Sequence, residues 1–154
     1  MENENINFEK KSFKKSEFIT LFASIYEHSD WVIKNIIKNN YFYIFSSELS
    51  SHIKLLINKK VGTFMLIKDE QDTKNIWARV RMKFQAKVSI IRRNVSNFQE
   101  ITDIISNKHG NTIDIIREFK DFHLIKITPK QGTIITGFGS AYNLIGRSLE
   151  VTSK

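Results

Sequence analysis

The chain contains no cysteine among its 154 residues, and this absence removes several kinds of chemistry at once. Disulfide bridges, thiolate metal sites and cysteine nucleophiles are all excluded. No apolar run approaches the roughly 20 residues that a membrane-spanning helix needs. The polar start MENENINFEKK does not have the pattern of a signal peptide. The sequence therefore predicts a cytoplasmic protein without membrane insertion.

Acidic residues are few relative to basic ones, with 16 aspartates and glutamates against 24 lysines and arginines. The net charge of +8 favours anionic partners: nucleic acid, a membrane surface, or a phosphorylated or carboxylated ligand. The four histidines show no pairing at three- or four-residue spacing, so no first-row metal site is expected. The polar composition of residues 1–15 predicts a flexible tail, and the length of the chain predicts a single domain over residues 16–154.

One stretch alternates apolar and polar residues without interruption from Ile76 to Ile90. The apolar set is Ile76, Ala78, Val80, Met82, Phe84, Ala86, Val88 and Ile90. The other set carries four cations and no carboxylate: Trp77, Arg79, Arg81, Lys83, Gln85, Lys87 and Ser89. Because strand side chains point alternately to opposite faces, the pattern predicts one long strand with a buried face and a basic face. The basic face is either a solvated surface or a ladder that binds carboxylates or phosphates.

Short β-prone segments occupy most of the remaining chain. The predicted strands are Phe18–Ile25, Trp31–Ile37, Tyr41–Phe45, Val61–Ile67, Phe122–Thr128 and Thr133–Phe138. A turn at Asn39-Asn40 predicts a hairpin, and the turn Pro129–Gly132 is expected to join the last two strands. The glycines Gly137 and Gly139 are expected to allow a bend or a close backbone approach. Together these features predict a mainly β, α+β fold: a small antiparallel β-barrel with short helices.

Three helices are predicted from capping residues and apolar stripes. Ser46 and Ser47 are expected to cap a helix with the stripe Leu49, Ile53 and Leu56. Ser96 and Gln99 predict a capping box for a helix that His109-Gly110 closes, with the stripe Phe98, Ile101, Ile104 and Ile105. Thr112 is expected to cap a short helix that runs through Phe119.

Three segments in register carry a family resemblance. They are YFYIFSSELSSH (residues 41–52), MLIKDE with IWARVR and Phe84-Gln85 (65–85), and FKDFHL with GFGSAY (119–142). In this order and spacing they resemble the haem-utilisation (HugZ/HutZ) branch of the pyridoxamine-phosphate-oxidase-like, FMN-binding split-barrel proteins. The resemblance covers roughly residues 17 to 146.

The resemblance implies a homodimeric antiparallel split barrel whose ligand lies at the subunit interface. The wider superfamily binds FMN there, whereas this branch binds haem and some members cleave it oxidatively to release iron. By position, Arg79 and Arg81 would meet haem propionates or a flavin phosphate. Residues around the helix start would supply further cofactor contacts: Ser46, Ser47, His52 and Lys54. Asp121 would support the haem ligand.

The histidines of this chain depart from the family pattern. Haem-binding members commonly supply an axial histidine from a C-terminal tail, and residues 146–154 contain none. His123 shares a predicted strand face with Ile125 and Ile127, which favours a hydrogen-bonded core histidine over an iron ligand. His28 and His109 are predicted to be surface residues.

Three functions fit the sequence. The first is a haem-binding protein that supports oxidative haem breakdown, as a haem-degrading oxygenase would. The second is an FMN-binding, flavin-dependent oxidoreductase. The third is a non-catalytic basic protein that binds nucleic acid, which is disfavoured because the phenylalanines and tyrosines are predicted to face a core. No acid–base or nucleophile constellation is present, so catalysis would depend on a cofactor.

Overall fold

The structure, a computed structural model, describes residues 33–35, 41–68 and 70–153. The predicted tail over residues 1–15, the strand Phe18–Ile25 and His28 lie outside these residues. The same holds for most of the predicted strand Trp31–Ile37 and for the turn at Asn39-Asn40. The single domain over residues 16–154 stays a prediction.

The described residues form seven strands and three α-helices. In chain order these are β1 (Ile33–Asn35), β2 (Tyr41–Ser47), α1 (Ser51–Lys59), β3 (Val61–Ile67), β4 (Arg81–Ile91), α2 (Ser96–His109), α3 (Thr112–Ile116), β5 (Phe122–Gly137), β6 (Ser140–Ile145) and β7 (Glu150–Ser153). The strands pair in the order β1-β2-β5-β4-β3, and β6 pairs with both β5 and β7. The pairs β1–β2, β2–β5, β5–β6 and β6–β7 are antiparallel.

Contacts along the chain divide it into two compact units. The described part of the first, called the strand unit here, comprises residues 63–68, 70–86 and 129–153. The described part of the second, called the helical unit, comprises residues 33–35, 41–62 and 87–128.

An apolar cluster lies in the described part of the helical unit. Its buried members are Tyr43, Phe45, Phe98, Ile101, Ile105, Ile113 and Leu124. The ring of Phe45 meets that of Phe98 edge-on, with centroids 6.2 Å apart. The stripe predicted for α2 is confirmed at three positions and wrong at Ile104, which is 46% exposed. The helix ends before Gly110, whose φ of 85° suits glycine, as predicted.

The predicted helix caps are wrong. Ser46 and Ser47 belong to β2, where they pair with His123 and Phe122 of β5. The strand continues through both serines because the hydrogen bonds of the β2–β5 ladder satisfy their backbone groups. α1 begins at Ser51 instead and leaves Leu49 outside, 85% exposed.

The two later helices also begin without the predicted caps. The N-cap of α2 is Val95, and the side chain of Gln99 bonds to Asp103 rather than back to the cap, with Nε2 3.0 Å from Oδ1. Thr112 is the first residue of α3, which ends at Ile116 rather than Phe119. The apolar stripes therefore located these helices more reliably than the capping residues did.

The alternating stretch is a strand only from Arg81 onward. Met82, Phe84, Ala86 and Val88 are buried and the intervening side chains are exposed, as predicted. Residues Ile76–Ala78 form a 3-10 turn instead, because Asn75 Oδ1 accepts a hydrogen bond from the Trp77 backbone N–H at 3.0 Å and caps that turn. Ile76 is therefore exposed, contrary to prediction, and Ile90 is also exposed, near the end of β4.

β5 is one continuous strand of 16 residues, so the turn predicted at Pro129–Gly132 is wrong. At Gly132 a Cβ would collide with the Lys83 carbonyl oxygen and lie 2.7 Å from Phe84 Cβ, so the glycine serves a close approach to β4 rather than a turn. The bend comes later, as predicted for the glycines: the pairing register shifts between Ile135 and Gly137. Gly139, with φ of 68°, then turns the chain into β6.

Candidate functional site

The two arginines of the predicted charge ladder do not share a strand face. Arg79 precedes β4, and its Nε donates to the Lys68 carbonyl oxygen at 2.5 Å. Arg81 is the first residue of β4, and its Nη1 donates to the Arg79 carbonyl oxygen at 3.0 Å. Both side chains are therefore held in place by neutral carbonyl groups. Because a carbonyl carries no net charge, each guanidinium keeps its positive charge for an anion.

Arg81 lines an apolar pocket of about 310 Å³ in the strand unit. The lining residues are Trp77, Arg81, Ile135, Gly137, Phe138, Gly139, Ser140 and Ala141. Trp77 is 79% exposed and Phe138 is 76% exposed. Arg81 is the one charged residue in this lining. Two accessible aromatic rings beside a single cation suit a flat apolar ligand that carries a carboxylate or phosphate.

A second, more polar groove of about 540 Å³ lies in the same unit. Its lining is Thr63, Lys83, Phe84, Gln85, Gln131, Gly132, Thr133, Asn143, Leu144, Ile145 and Thr152. Gln131 Nε2 donates to Gln85 Oε1 at 3.3 Å across it. Lys83 is the one charged group in this lining, so the groove suits a ligand with many hydrogen-bonding groups and an anionic end.

The helix-start candidates lie in the helical unit. His52 and Lys54 are exposed in the first turn of α1. The N-cap Ser50 makes no side-chain capping bond, and its carbonyl oxygen accepts from the N–H groups of Ile53 and Lys54, each at 3.1 Å. Because both candidate side chains are exposed in the first turn, they are accessible to an anion at the positive end of the helix dipole.

Ser47 and Asp121 are in direct contact. Ser47 Oγ donates to Asp121 Oδ2 at 2.5 Å and accepts from the Leu49 backbone N–H at 3.1 Å. Ser46 lies one residue earlier in the ladder, opposite His123. The carboxylate of Asp121 thus holds the chain that leads into α1.

His123 pairs with Glu48 rather than with the core. Its Nε2 lies 3.0 Å from Glu48 Oε2, and its side chain is 23% exposed. The prediction of a hydrogen-bonded histidine is confirmed, and its place in the core is wrong. His109, predicted at the surface, is half-buried, and its Nε2 has no hydrogen-bond partner among the described residues.

Two more arginines brace the helical unit. Arg93 donates to the carbonyl oxygens of Arg117, Phe119 and Phe122, the last at 2.8 Å, while it lies 5.0 Å from the centroid of the Phe98 ring. Arg117 is nearly buried and forms ion pairs with two carboxylates, Asp103 at 2.5 Å and Asp114 at 2.8 Å. These contacts fix the segment that runs into Asp121.

The structure thus brings the predicted site residues together in two sets: Arg79 with Arg81 in the strand unit, and Ser46, Ser47 and Asp121 at the approach to α1 in the helical unit. The pocket aromatics Trp77 and Phe138 were not predicted as site residues. A signal was present, because Trp77 falls in the polar set of the alternation and Phe138 stands between two glycines.

Two kinds of feature are absent from the described ranges. Residues 33–35, 41–68 and 70–153 contain no group of three histidine, aspartate or glutamate side chains arranged to hold a metal ion. None of the helices in the same ranges is long and apolar enough to cross a membrane.

Known proteins resemble the chain in both sequence and structure, although no model of a protein family matches it. Over 109 residues it is 30% identical to the protein named heme oxygenase HutZ of Vibrio cholerae serotype O1. This match covers 70% of the chain and 61% of HutZ. The crystal structure of Campylobacter jejuni ChuZ superposes with a TM-score of 0.64 and 30% identity, over 73% of this chain and 46% of ChuZ.

A crystal structure of Vibrio cholerae HutZ, described as a haem storage protein, gives a TM-score of 0.61 at 24% identity over 69% of this chain and 72% of that one. The chain therefore spans about three fifths of the curated relative and less than half of ChuZ. These likenesses confirm the predicted mainly β, antiparallel fold with short helices.

Proposed function

Because the chain belongs to the haem-utilisation (HutZ/HugZ) branch of the pyridoxamine-phosphate-oxidase-like split-barrel family, we propose that it binds haem. The two descriptions of Vibrio cholerae HutZ both name haem, one as the substrate of an oxygenase and the other as the ligand of a storage protein. Haem binding is accordingly the first proposal. The second, more specific proposal is that the protein supports oxidative haem breakdown with release of iron. In that reaction the haem iron would supply the redox chemistry and the protein would supply binding and orientation.

The pocket that contains Arg81, Trp77 and Phe138 is the observation that carries the proposal. Haem is a flat apolar macrocycle with two carboxylate arms. Exposed aromatic rings stack on such a macrocycle, and a guanidinium binds a carboxylate through two parallel hydrogen bonds. Arg81 uses Nη1 to reach the Arg79 carbonyl oxygen, and no described residue accepts from its Nη2.

The size of the pocket supports a ligand shared with a second copy of the chain. About 310 Å³ is at the low end of the volumes, about 300 to 1,000 Å³, that ligand pockets occupy. A tetrapyrrole seated on Trp77 and Phe138 would extend beyond this space. We therefore propose a homodimer in which the partner covers the rest of the ligand.

The residues present fit the macrocycle and its carboxylates better than they fit the iron. The described part of the strand unit contains no histidine. The described histidines are His52, His109 and His123, all in the helical unit, and His123 is already paired with Glu48. The proposal therefore assigns the propionate contact to Arg81 and assigns no axial ligand.

Titration with hemin tests the proposal. The Soret band is followed for the purified protein and for Arg81→Ala, Arg79→Ala and Lys87→Ala, the last an exposed cation of β4 that lines neither pocket. Loss of a charge-assisted hydrogen bond predicts about tenfold weaker binding for Arg81→Ala. Arg79→Ala should weaken it less, and Lys87→Ala should match the wild type. Equal affinity of Arg81→Ala and the wild type would reject the assignment.

FMN binding is a second candidate, favoured by the polar groove around Lys83. Its amides and hydroxyls match the hydrogen-bonding edges of a flavin nucleotide, and Lys83 matches its phosphate. Under this alternative the protein is yellow as purified and Lys83→Ala loses FMN while it keeps hemin affinity. A protein that binds hemin and leaves FMN free would exclude the alternative.

A further inference from the structure

The chain between β2 and α1 is held by hydrogen bonds rather than by packing. The β2–β5 ladder ends at the pair Ser47 and Phe122. Beyond it, the Glu48 N–H donates to the Asp121 carbonyl oxygen at 2.9 Å, and the Ser50 N–H donates to the Ser47 carbonyl oxygen at 3.3 Å. Leu49 is 85% exposed, so its side chain contributes little to holding this turn.

The Ser47 hydroxyl is the centre of this turn. It donates its one proton to Asp121 Oδ2 at 2.5 Å and accepts the Leu49 N–H at 3.1 Å. A hydroxyl hydrogen bond to an ionised carboxylate is short and roughly twice as strong as a neutral one. The carboxylate therefore fixes the hydroxyl rotor in the direction that leaves a lone pair for Leu49.

We infer that Asp121 is a positioning residue that acts through Ser47 on the β2–α1 turn, and does not itself contact the ligand. The turn sets the place of the first residues of α1, which include His52 and Lys54. The effect on a ligand rests on the proposed function, because these two side chains matter only if an anionic cofactor binds. The effect on the turn itself does not depend on any ligand.

This inference differs from the role that the family resemblance implied for Asp121. A carboxylate that supports a haem ligand directly needs an oxygen directed at that ligand and its negative charge. A carboxylate that orients Ser47 needs only an acceptor oxygen at the same place, which an asparagine amide also offers. The two roles therefore give opposite results for Asp121→Asn.

A double-mutant cycle separates the two roles. Asp121→Ala, Ser47→Ala and the double variant are compared by amide hydrogen exchange of residues 48–54 and by hemin affinity. Positioning through Ser47 predicts that each single variant exchanges faster at these amides and binds hemin about threefold or more weakly. The double variant should lose no more than either single one, since both break the same hydrogen bond.

Conservative variants complete the experiment. Ser47→Thr keeps the hydroxyl and Asp121→Asn keeps an acceptor, so both should restore slow exchange and most of the affinity. Lys120→Ala, an exposed neighbour of Asp121, is the control and should behave as the wild type. Additive losses in the double variant, or an Asp121→Asn variant as impaired as Asp121→Ala while Ser47→Ala is unaffected, would overturn the inference.

Failure of the proposed function gives a different result. If the wild type binds no hemin, the exchange rates of residues 48–54 alone decide the positioning role. Unchanged exchange in both Asp121→Ala and Ser47→Ala then rejects it. Faster exchange that Ser47→Thr and Asp121→Asn reverse then supports it without haem.

Discussion

An aromatic pair in each unit shows a contrast between buried and exposed rings. In the helical unit, Phe45 and Phe98 are buried and meet edge to face within a continuous apolar cluster. In the strand unit, Phe84 is buried and stacks on Phe64, whereas Trp77 and Phe138 lie in turns and are more than three quarters exposed. Buried rings contribute to stability through the area they remove from water, whereas exposed rings offer that area to a ligand. The buried rings of both units thus contribute to stability, and the exposed rings of the strand unit offer a surface for the proposed ligand.

Two arginines, one from each unit, show a similar contrast. Arg117 in the helical unit is nearly buried and its charge is balanced by Asp103 and Asp114. Arg81 in the strand unit rests on a carbonyl oxygen and lines an open pocket. A guanidinium between two carboxylates has no charge left for a ligand. One whose only described partner is a carbonyl oxygen retains its charge.

Paired phenylalanine substitutions give the largest expected difference between the units. Phe98→Ala should lower the free energy of unfolding by about 3 to 5 kcal/mol, because it opens a cavity in the buried cluster. Phe138→Ala should change it by less than about 0.5 kcal/mol and weaken hemin binding instead. Urea unfolding and hemin titration of both variants measure the two effects. Equal destabilisation by the two substitutions would remove the distinction between the buried and the exposed ring.

A pair of adjacent arginines sharpens the comparison within the helical unit. Arg93→Ala removes donors from three carbonyl groups and a contact with Phe98, so we expect a loss of about 2 kcal/mol in unfolding free energy. Arg92→Ala, at an exposed neighbouring position, should stay within about 0.5 kcal/mol of the wild type.

The salt dependence of the Arg93 effect identifies its cause. Its acceptors are neutral carbonyl oxygens, so the loss in Arg93→Ala should be nearly the same in low and high salt. Thermal unfolding at two salt concentrations measures this. A loss that disappears in high salt would mean that ion pairs, rather than the carbonyl contacts, carry the contribution of Arg93.

Local periodicity in the sequence correctly predicted β3 and the central part of β4. β3 has the predicted bounds Val61–Ile67, and the alternation from Met82 to Val88 matches the burial of β4. The sequence could not show that Asn75 caps a 3-10 turn inside the same alternation, because the competing hydrogen bond is local and leaves the apolar period unchanged. Nor could it show that β5 continues through Pro129 and Gly132, since the close approach of β4 is a tertiary contact.

The charged residues of the candidate site could be predicted from the sequence, but the residues that surround them could not. Arg81 was identified from its place in a basic set and a family motif, and the structure adds the pocket that it lines. The exposure of Phe138 depends on the turn between β5 and β6, a strand that the sequence analysis did not predict. The contact between Ser47 and Asp121 joins residues 74 positions apart, so no local pattern contains it.

The smallest expected effect comes from Tyr43 in the cluster of the helical unit. Burial, with smaller contributions from Tyr41 and Glu100, raises the pKa of the Tyr43 phenol above its usual value of 10.0. Below pH 10 the folded and unfolded states both hold the proton, so the raised pKa costs no stability. Above it the unfolded chain releases the proton first, and the free energy of unfolding falls until the folded state titrates as well.

Tyr43→Phe should remove this part of the alkaline decline, by less than about 1 kcal/mol between pH 9 and pH 11. Urea unfolding of both proteins at these pH values measures the difference, and phenolate absorbance locates the titration. An identical decline in the two proteins would mean that the Tyr43 hydroxyl reaches water in the folded state. Water would then reach the cluster of the helical unit at Tyr43. The contrast with the exposed Trp77 and Phe138 would hold only for Phe45 and Phe98.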